Sequence, residues 1–492
     1  MAPKQKYILY ELLFLNLAIL VLFAAYRMIG RDEGFYLNAT RMVGLGKTLY
    51  IDFFYTQLML MPTVFSSLAL SGWQSFWILR GLAVAAGFLS AVLLFFIVLK
   101  TSRSIRAALI ALSMYTFSGL IISVHTMYEP LVFAHFLSLG TFFFWLHFRE
   151  SGRLLDVVLA GLFLSALINH RAIFIILLPL YLWAIILQAR DRRLRTVLSF
   201  LFALIPFAVP ALVMMVRASG SFFFDTFIFQ IYRETDRSLG YIISNRLTTL
   251  IRTVLDPHLL IILVLSIISL RYLIKSGKLR TRRDLFVTPQ GMALMNLLLI
   301  AAVYFVPHPI LRHYVEQYIA FAIILIAFNL ETMLEKARAL WKPLGRRLII
   351  TVLAALYLIS LVPYIAINIY GIRKGDRRYL LSEVKKITEQ MLELGRVSDT
   401  VLCEWAGYPF FTGQMPLPGT EIVGFHWPLP LDHAGYMKHK LADAVYLREE
   451  VVKRTPALVV TVNQPADYYA AELIAGYNKS YQSDVISIYK RR

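Results

Sequence analysis

The 492-residue chain has few charged residues and a single cysteine. Asp, Glu, Lys and Arg make up 16% of the sequence, whereas 58% of the residues are hydrophobic. This composition is too apolar for a soluble protein of this length, and several uncharged runs approach the ~20 residues that a helix needs to cross a bilayer. Cys403, standing alone, excludes an intrachain disulfide and a cysteine-rich metal site. We therefore expect an all-α polytopic membrane protein.

The sequence also lacks a short signal peptide with a small-residue cleavage site ahead of its first apolar run, 7–26, so this run is expected to remain as a span. No repeat of 20–50 residues and no low-complexity segment is present. The net charge is +20. Residues 371–492 hold 16 basic and 14 acidic side chains, a balance of +2, which leaves +18 for residues 1–370. That charge lies mostly in short loops between apolar runs, a pattern typical of the positive-inside rule and not of a nucleic-acid surface.

Basic clusters recur in alternate gaps between the apolar runs. All these clusters lie on the cytosolic side only if the segment 56–72 does not span the membrane and 155–189 spans it twice. The segment 56–72 is therefore interpreted as a re-entrant or interfacial helix, and 155–189 as two spans with a tight turn between them. The N-terminus is then cytosolic and the C-terminus lies outside. Eleven spans are predicted, near 7–26, 77–99, 107–124, 130–148, 155–168, 172–189, 196–216, 257–274, 289–306, 314–330 and 348–370.

The C-terminal segment differs in character from the rest. Residues 378–394 show the spacing of an amphipathic helix, and 400–403, 457–463 and 484–489 have the composition of strands. We expect two domains, a transmembrane domain over 1–370 and a small extracytoplasmic α/β domain over 371–492.

Polar side chains on the predicted outer face are few, and most lie in or near the loops. Asp32 and Glu33 follow the first span, in a long first outer loop, 27–76, that also contains Asp52 and Gln57. A short amphipathic helix lying on the bilayer is predicted after the acidic pair, ending at Gly44 and Gly46. Carboxylates suit deprotonation of a hydroxyl, whereas Arg and His suit a phosphate leaving group. The remaining candidates are Arg80, Glu129, His170, Arg171, Arg312, His313 and Tyr314, with Arg233 and Arg237 in a later loop.

At these residues the chain resembles a known family. Asp32-Glu33-Gly34-Phe35-Tyr36, then Tyr50-x-Asp52-Phe53-Phe54-x-x-Gln57 and Arg80, is similar to the GT-C glycosyltransferases, and specifically to bacterial relatives of protein O-mannosyltransferases and to lipid A aminoarabinose transferases. Glu129-Pro130 resembles their second acidic loop, His170-Arg171 falls where relatives place a basic residue, and Arg312-x-Tyr314 resembles their Arg-Tyr before a late span. The ordered set is specific, although no single motif is.

The resemblance implies eleven to thirteen spans, a polyprenyl-phosphate-sugar donor and inverting transfer on the outer face of the membrane. It implies Asp32 as general base with Glu33 as its support. The donor phosphate and sugar would contact a set drawn from the other candidates: Asp52, Gln57, Arg80, Glu129, His170, Arg171, Arg312 and Tyr314. Many relatives have Lys-Pro-Pro where this chain has Thr56-Gln57-Leu58, so a phosphate-binding lysine is missing there and Arg171 or Arg312 is the candidate substitute.

The expected partners are membrane lipids, the lipid-linked donor and an acceptor glycan, lipid or protein, with no nucleic acid. The expected location is the bacterial inner membrane, in cell-envelope or lipopolysaccharide glycosylation. No cofactor is assigned; the outer acidic residues are too scattered for a metal site, and a metal requirement is left open. His135, inside the fourth predicted span, is expected to be a hydrogen-bonded packing residue.

Two other functions stay open. A flippase or transporter of lipid-linked saccharides would carry ionisable residues at mid-membrane and paired, interrupted helices from repeats, whereas the mid-membrane positions here are nearly free of charge and no repeat is present. A glycan polymerase or ligase would place key Arg and His side chains in a large late outer loop, and the arginines of 217–256 keep that alternative open.

Overall fold

A computed structural model describes residues 3–189, 192–232, 238–305, 311–340, 342–373, 375–423, 428–462 and 465–492. Arg233 and Arg237 lie outside these residues. The helices of the N-terminal part are α1 Pro3–Tyr26, α2 Arg31–Gly44, α3 Leu60–Phe65, α4 Gly72–Ser102, α5 Ile105–Thr116, α6 Gly119–His125, α7 Pro130–Ser151, α8 Leu154–His170, α9 Leu177–Gln188, α10 Arg193–Arg217, α11 Ser219–Phe223, α12 Phe229–Tyr232, α13 Leu239–Val254, α14 Pro257–Lys275, α15 Asp284–Val287, α16 Pro289–Phe305, α17 Glu316–Ala327, α18 Leu330–Leu340, α19 Pro343–Ile359 and α20 Leu361–Tyr370. Short 3₁₀ turns at Ser66–Leu68, Ala172–Ile176, Arg312–Val315 and Asp376–Tyr379, and a π-helical turn at Phe224–Ile228, complete the set.

Within the described residues, each of the eleven predicted apolar segments is largely helical. Among the described residues, six helices are long and apolar enough to cross a membrane, and two further segments qualify as bent pairs, α5 with α6 (65°) and the Arg312–Ala327 segment with α18 (59°). The remaining three, Leu154–His170, Ala172–Gln188 and Pro289–Phe305, are shorter. At 1.5 Å per residue such helices cover less than the ~30 Å hydrocarbon core. The protein is thus a multi-pass membrane protein, while the count of eleven spans stays a prediction.

The helices pack around one large apolar core. Long side chains from α4, α5, α7 and α17 meet there, and Trp145, Phe142 and Phe321 are completely buried in it. Segment 56–72, predicted as re-entrant or interfacial, contains only the short helices Leu60–Phe65 and Ser66–Leu68.

The C-terminal part is a small α/β unit, as the sequence predicts. Its helices are α21 Leu381–Leu394, α22 Gly407–Thr412, α23 His433–Lys438, α24 Ala444–Val452 and α25 Ala470–Gly476, and its strands are β1 Thr400–Cys403, β2 Met415–Pro416, β3 Leu458–Val462, β4 Tyr477–Gln482 and β5 Ile486–Arg491. The sheet order is β2-β1-β3-β5-β4, in which β1 runs parallel to β2 and β3, and β5 antiparallel to β3 and β4. Strand β4 was not predicted because its residues, YNKSYQ, are mostly polar and exposed.

Helix α2 lies between the helical bundle and the α/β unit. Trp405 Nε1 donates to the Arg31 carbonyl at 2.9 Å, and Asn38 Nδ2 donates to the Glu421 carbonyl at 2.6 Å. Arg41 Nη1 donates to the Gln414 carbonyl at 3.0 Å. The polar side of this amphipathic helix therefore faces protein of the α/β unit, and this contact holds the start of the loop 27–76 in place.

Candidate active site

The chain turns sharply between α1 and α2, and Gly30 is the pivot. The Met28 amide donates to the Asn368 carbonyl at 2.6 Å, and the Ile29 amide donates to the Tyr379 carbonyl at 2.8 Å. A Cβ at Gly30 would lie only 3.0 Å from Glu129 Oε1 and 2.7 Å from the Met127 sulfur. Glycine at this position therefore allows a second acidic loop to approach the start of α2 closely.

Glu33, in the first turn of α2, accepts hydrogen bonds from neighbouring groups with both carboxylate oxygens. Its carboxylate accepts from Arg80 Nε at 3.0 Å and Nη2 at 2.7 Å, and from the amides of Gly30 at 2.9 Å and Tyr128 at 3.0 Å. Both Glu33 and Arg80 are buried. Burial alone would raise the pKa of Glu33, but the charge and hydrogen bonds of Arg80, with smaller contributions from Arg27 and Tyr128, outweigh it and lower that pKa.

The Arg80 guanidinium likewise donates hydrogen bonds to several groups. Besides Glu33 it donates to the Ala24 carbonyl at 2.8 Å and the Met28 carbonyl at 3.1 Å, and its guanidinium lies 4.5 Å from the ring centre of Phe76. The pair therefore joins α1, α2 and α4 to the loop before α7. This geometry gives Glu33 and Arg80 a positioning role beside the site.

A cavity of about 590 Å³ opens on the other side of the α2 start. Of the ten residues that the sequence analysis places in the site, six line it, and Glu33, Asp52, Arg80 and His170 do not. Asp52 accepts from the Thr48 amide at 2.6 Å in a turn, and His170 is buried against Phe133. The six that line the cavity are Asp32, Gln57, Glu129, Arg171, Arg312 and Tyr314.

Glu129 precedes Pro130 at the start of α7 and contributes a carboxyl group to the cavity wall. Burial, together with the charges of Asp32 and Glu33, raises its pKa to about 8, although Arg27 and Arg171 oppose the shift. This shift favours the protonated form of Glu129 at neutral pH.

Positive charge is concentrated in the same cavity. Arg171 lies with its guanidinium carbon 5.4 Å from the Tyr304 ring centre and 5.5 Å from that of Tyr314, and its Nε has no hydrogen-bond partner among the described residues. Arg312 pairs with Asp256, which also accepts from the Tyr364 hydroxyl at 2.9 Å. Aromatic rings thus hold the Arg171 guanidinium at the cavity wall, whereas Arg312 is held by its ion pair with Asp256 and lies 5.1 Å from the Tyr364 ring centre.

Sequence reasoning missed several residues of this cavity. Arg27 donates to Thr126 Oγ1 at 3.1 Å and Asn368 Oδ1 at 3.1 Å, and Arg373 and Asp376 reach the cavity from the segment before α21. In the sequence, Arg27 is only one basic residue of the loop 27–76, although it follows the first predicted span directly and precedes Asp32 by five positions. No local pattern marks Arg373 or Asp376, because their place depends on how the α/β unit packs.

A second, apolar cavity of about 240 Å³ lies among α13, α14, α16 and α17. Its wall includes Leu259, Ile262 and Tyr318. Leu311 and Tyr314 line both cavities, so that the apolar space adjoins the charged one at the segment before α17.

No protein-family model matches this sequence, and no curated protein does. Solved structures do match. ArnT from Cupriavidus metallidurans, in a crystal structure bound to undecaprenyl phosphate, is similar with a TM-score of 0.64 over 98% of this chain and 97% of that chain, at 14% identity. The chain therefore shares the fold of this ArnT over nearly its whole length. The fold resemblance expected from the sequence is thereby confirmed.

Two further structures come from the Archaeoglobus fulgidus oligosaccharyltransferase. Its complex with zinc and sulfate gives a TM-score of 0.57 at 13% identity, and covers 98% of this chain and 73% of that one. AglB in complex with an inhibitory peptide and a dolichol-phosphate gives 0.52 at 12% identity, with coverage of 97% and 74%. At these identities the likeness shows the fold alone.

Proposed function

We propose that this protein is an integral membrane glycosyltransferase that moves a sugar from a polyprenyl-phosphate donor to a hydroxyl acceptor. The observation that carries the proposal is the adjacency of the two cavities. One holds a carboxylate, Asp32, together with arginines, and the other is apolar and meets it at Leu311 and Tyr314. A donor with a long hydrocarbon tail, a phosphate and a sugar needs such a sequence of environments.

The chemistry assigned to each group follows from its charge. Asp32 accepts the proton of the acceptor hydroxyl as that oxygen attacks the anomeric carbon, and the bond to the donor phosphate breaks on the opposite side. The sugar configuration is therefore inverted. Arg171 and Arg312 stabilise the charge on the departing phosphate, for which a guanidinium is well suited.

Glu129 is assigned a different task from Asp32. Since its pKa of about 8 keeps it protonated at neutral pH, it is a poor base and a good donor to a phosphate or sugar oxygen. Gln57, on the same wall, supplies amide groups for sugar hydroxyls. Fold neighbours support the lipid part of the proposal, because ArnT was crystallised with undecaprenyl phosphate and AglB with a dolichol-phosphate.

We place the reaction on the outer face of a bacterial inner membrane, with the N-terminus in the cytosol. The sugar and the acceptor are left open by the site, so the test is a comparison of glycan profiles. In a strain lacking the gene, mass spectrometry of lipid, glycan and protein fractions should show one missing sugar. The wild-type chain should restore it.

Asp32→Asn should fail to restore the sugar while the protein is expressed and folded, since loss of a general base typically slows a reaction by about 100- to 10,000-fold. The matched control is Asp467→Asn, a change at an exposed aspartate of the α/β unit, which should restore it fully. Full restoration by Asp32→Asn would remove Asp32 as base. Scrambling of lipid-linked saccharides by pure protein in liposomes, with no sugar transfer, would indicate a flippase instead.

A further inference from the structure

A second group of ionisable side chains lies inside the helical bundle, outside the cavities. His125 ends α6, His135 lies in the second turn of α7, and Glu316 begins α17. All three side chains are buried, with relative exposures of 0%, 1% and 0%. The proposed sugar transfer uses none of them, so their burial needs another explanation.

The three side chains converge on one point. His125 Nε2 and His135 Nδ1 each lie 2.5 Å from the same atom, Glu316 Oε1, and the three ligating atoms all lie within 4.8 Å of one another. Neither nitrogen of His135 has a hydrogen-bond partner of acceptable geometry. His135 is buried, as expected of a packing residue, and the polar group nearest to its Nδ1 is the Glu316 carboxylate. Two buried imidazoles that converge on one carboxylate oxygen are stabilised by a positive charge shared among them, which a proton or a metal ion can supply.

The other polar atoms of the group are already occupied. Glu316 Oε2 accepts from Gln317 Nε2, which also donates to the Leu131 carbonyl at 2.9 Å. His125 Nδ1 lies 3.4 Å from the Tyr115 hydroxyl. Such outer partners fix the orientation of ligating side chains in metal sites, and here they leave one atom of each residue facing the centre.

We propose that His125, His135 and Glu316 bind one divalent transition-metal ion of the zinc type. Two imidazoles and one carboxylate suit such ions, whereas Mg²⁺ and Ca²⁺ prefer oxygen ligands alone. Ligand atoms that lie about 2.1 Å from a tetrahedral zinc are about 3.4 Å apart, so the two 2.5 Å contacts need to open by about 1 Å. A water completes the fourth position.

The metal site would join the parts of the chain that carry the cavity residues. His125 precedes Glu129 by four positions, and Glu316 follows Tyr314 by two. An ion held by α6, α7 and α17 therefore fixes the spacing between the second acidic loop and the segment that lines both cavities. This inference does not depend on the proposed sugar transfer, because the ion can be measured whether or not the protein transfers a sugar.

The test is metal analysis of protein purified with a tag that contains no histidine and without chelators. Inductively coupled plasma mass spectrometry after dialysis against Zn²⁺ should give one ion per chain in the wild type. Glu316→Gln and His135→Phe should each lose it. His147→Gln removes a histidine farther along α7 that is outside the group, and should retain the full ion content.

A reconstitution of wild-type protein with Co²⁺ covers the case in which the variants do not fold. Visible d–d absorption that saturates at one ion per chain, and is abolished by excess Zn²⁺, supports the site. Absence of stoichiometric metal in the wild type after exposure to Zn²⁺ and Co²⁺, or equal metal content in Glu316→Gln, overturns the proposal. A shared proton would then hold the group together.

Discussion

Glu33 and Glu129 are two buried carboxyl groups on either side of Gly30, and their pKa values are shifted in opposite directions. On the bundle side, Glu33 has Arg80 in direct contact, and its pKa is lowered. On the cavity side, Glu129 has Asp32 and Glu33 nearby, and its pKa is raised to about 8. Burial is common to both groups, so the neighbouring charges decide which one is ionised.

The same contrast holds for the arginines. Arg80 donates its hydrogen bonds to Glu33 and to backbone carbonyls. Arg171 is held by aromatic rings and makes no ion pair among the described residues. A guanidinium already saturated stabilises the fold, and one held by ring faces remains available to an anionic ligand. One side of the α2 start thus holds a saturated ion pair, and the other side lines the cavity in which we propose the sugar transfer.

The largest effect on stability is expected from Glu33→Gln. Removing one partner of a buried ion pair leaves Arg80 uncompensated and typically costs about 3–5 kcal/mol. The purified variant in detergent should therefore unfold at a markedly lower temperature than the wild type. Glu389→Gln, which loses only an exposed pair with Lys385 at 3.9 Å, should cost about 0.5 kcal/mol or less. An unchanged melting temperature for Glu33→Gln would show that the pair does not support the site.

A smaller effect, on ligand affinity, is expected from Arg171→Gln. Loss of a hydrogen bond to a charged group corresponds to about 10- to 100-fold weaker binding of undecaprenyl phosphate, measured by native mass spectrometry in detergent. The affinity of Arg171→Lys should lie between those of the wild type and Arg171→Gln, since lysine keeps the positive charge but loses the planar guanidinium that binds phosphate with two hydrogen bonds. Arg153→Gln, at an exposed position at the opposite end of α8, should bind like the wild type. Equal affinity for Arg171→Gln would exclude this residue from the phosphate site.

The smallest effect concerns pH. The folded-state pKa of Glu129 is about 8 against an ordinary value of 4.5, so between these values the folded protein holds more protons than the unfolded chain. Stability should then fall as the pH rises from 5 to 8. In Glu129→Gln that component disappears, so its melting temperature should exceed that of the wild type by a growing margin toward pH 8. Glu33, with its lowered pKa, contributes the opposite slope, because its stabilisation is lost only in acid below its ordinary pKa.

If the difference between Glu129→Gln and the wild type were constant from pH 5 to 8, Glu129 would be ionised throughout. The contrast with Glu33 would then be wrong.

Features that depend on local sequence patterns can be predicted from this sequence, whereas contacts between distant segments cannot. The apolar runs, the amphipathic α21 and the buried strands β1 and β3 are local patterns, and all appear in the structure at nearly the predicted bounds. The position of the acidic pair near the start of a helix is likewise predicted from the local pattern that follows it, and α2 begins at Arg31. Segment 484–489 was also predicted as a strand, and β5 covers Ile486–Arg491.

Long-range contacts could not be predicted in this way. Adjacent carboxylates in one sequence motif point in different directions from α2, so that Asp32 lines the cavity and Glu33 is buried against Arg80. The helical rotation between neighbours, about 100°, gives them different directions, but only the packed bundle decides which one meets a cation. Arg373 and the group of His125, His135 and Glu316 likewise depend on elements far apart in the chain.

The central claim, that the charged cavity beside Asp32 holds the phosphate of a lipid-linked donor, is tested most directly by a structure of the full chain in lipid nanodiscs with undecaprenyl phosphate. We predict the phosphate in contact with Arg171 and the hydrocarbon chain leaving past Leu311 and Tyr314 into the apolar cavity. A phosphate bound elsewhere, with this cavity free of lipid, would contradict the account.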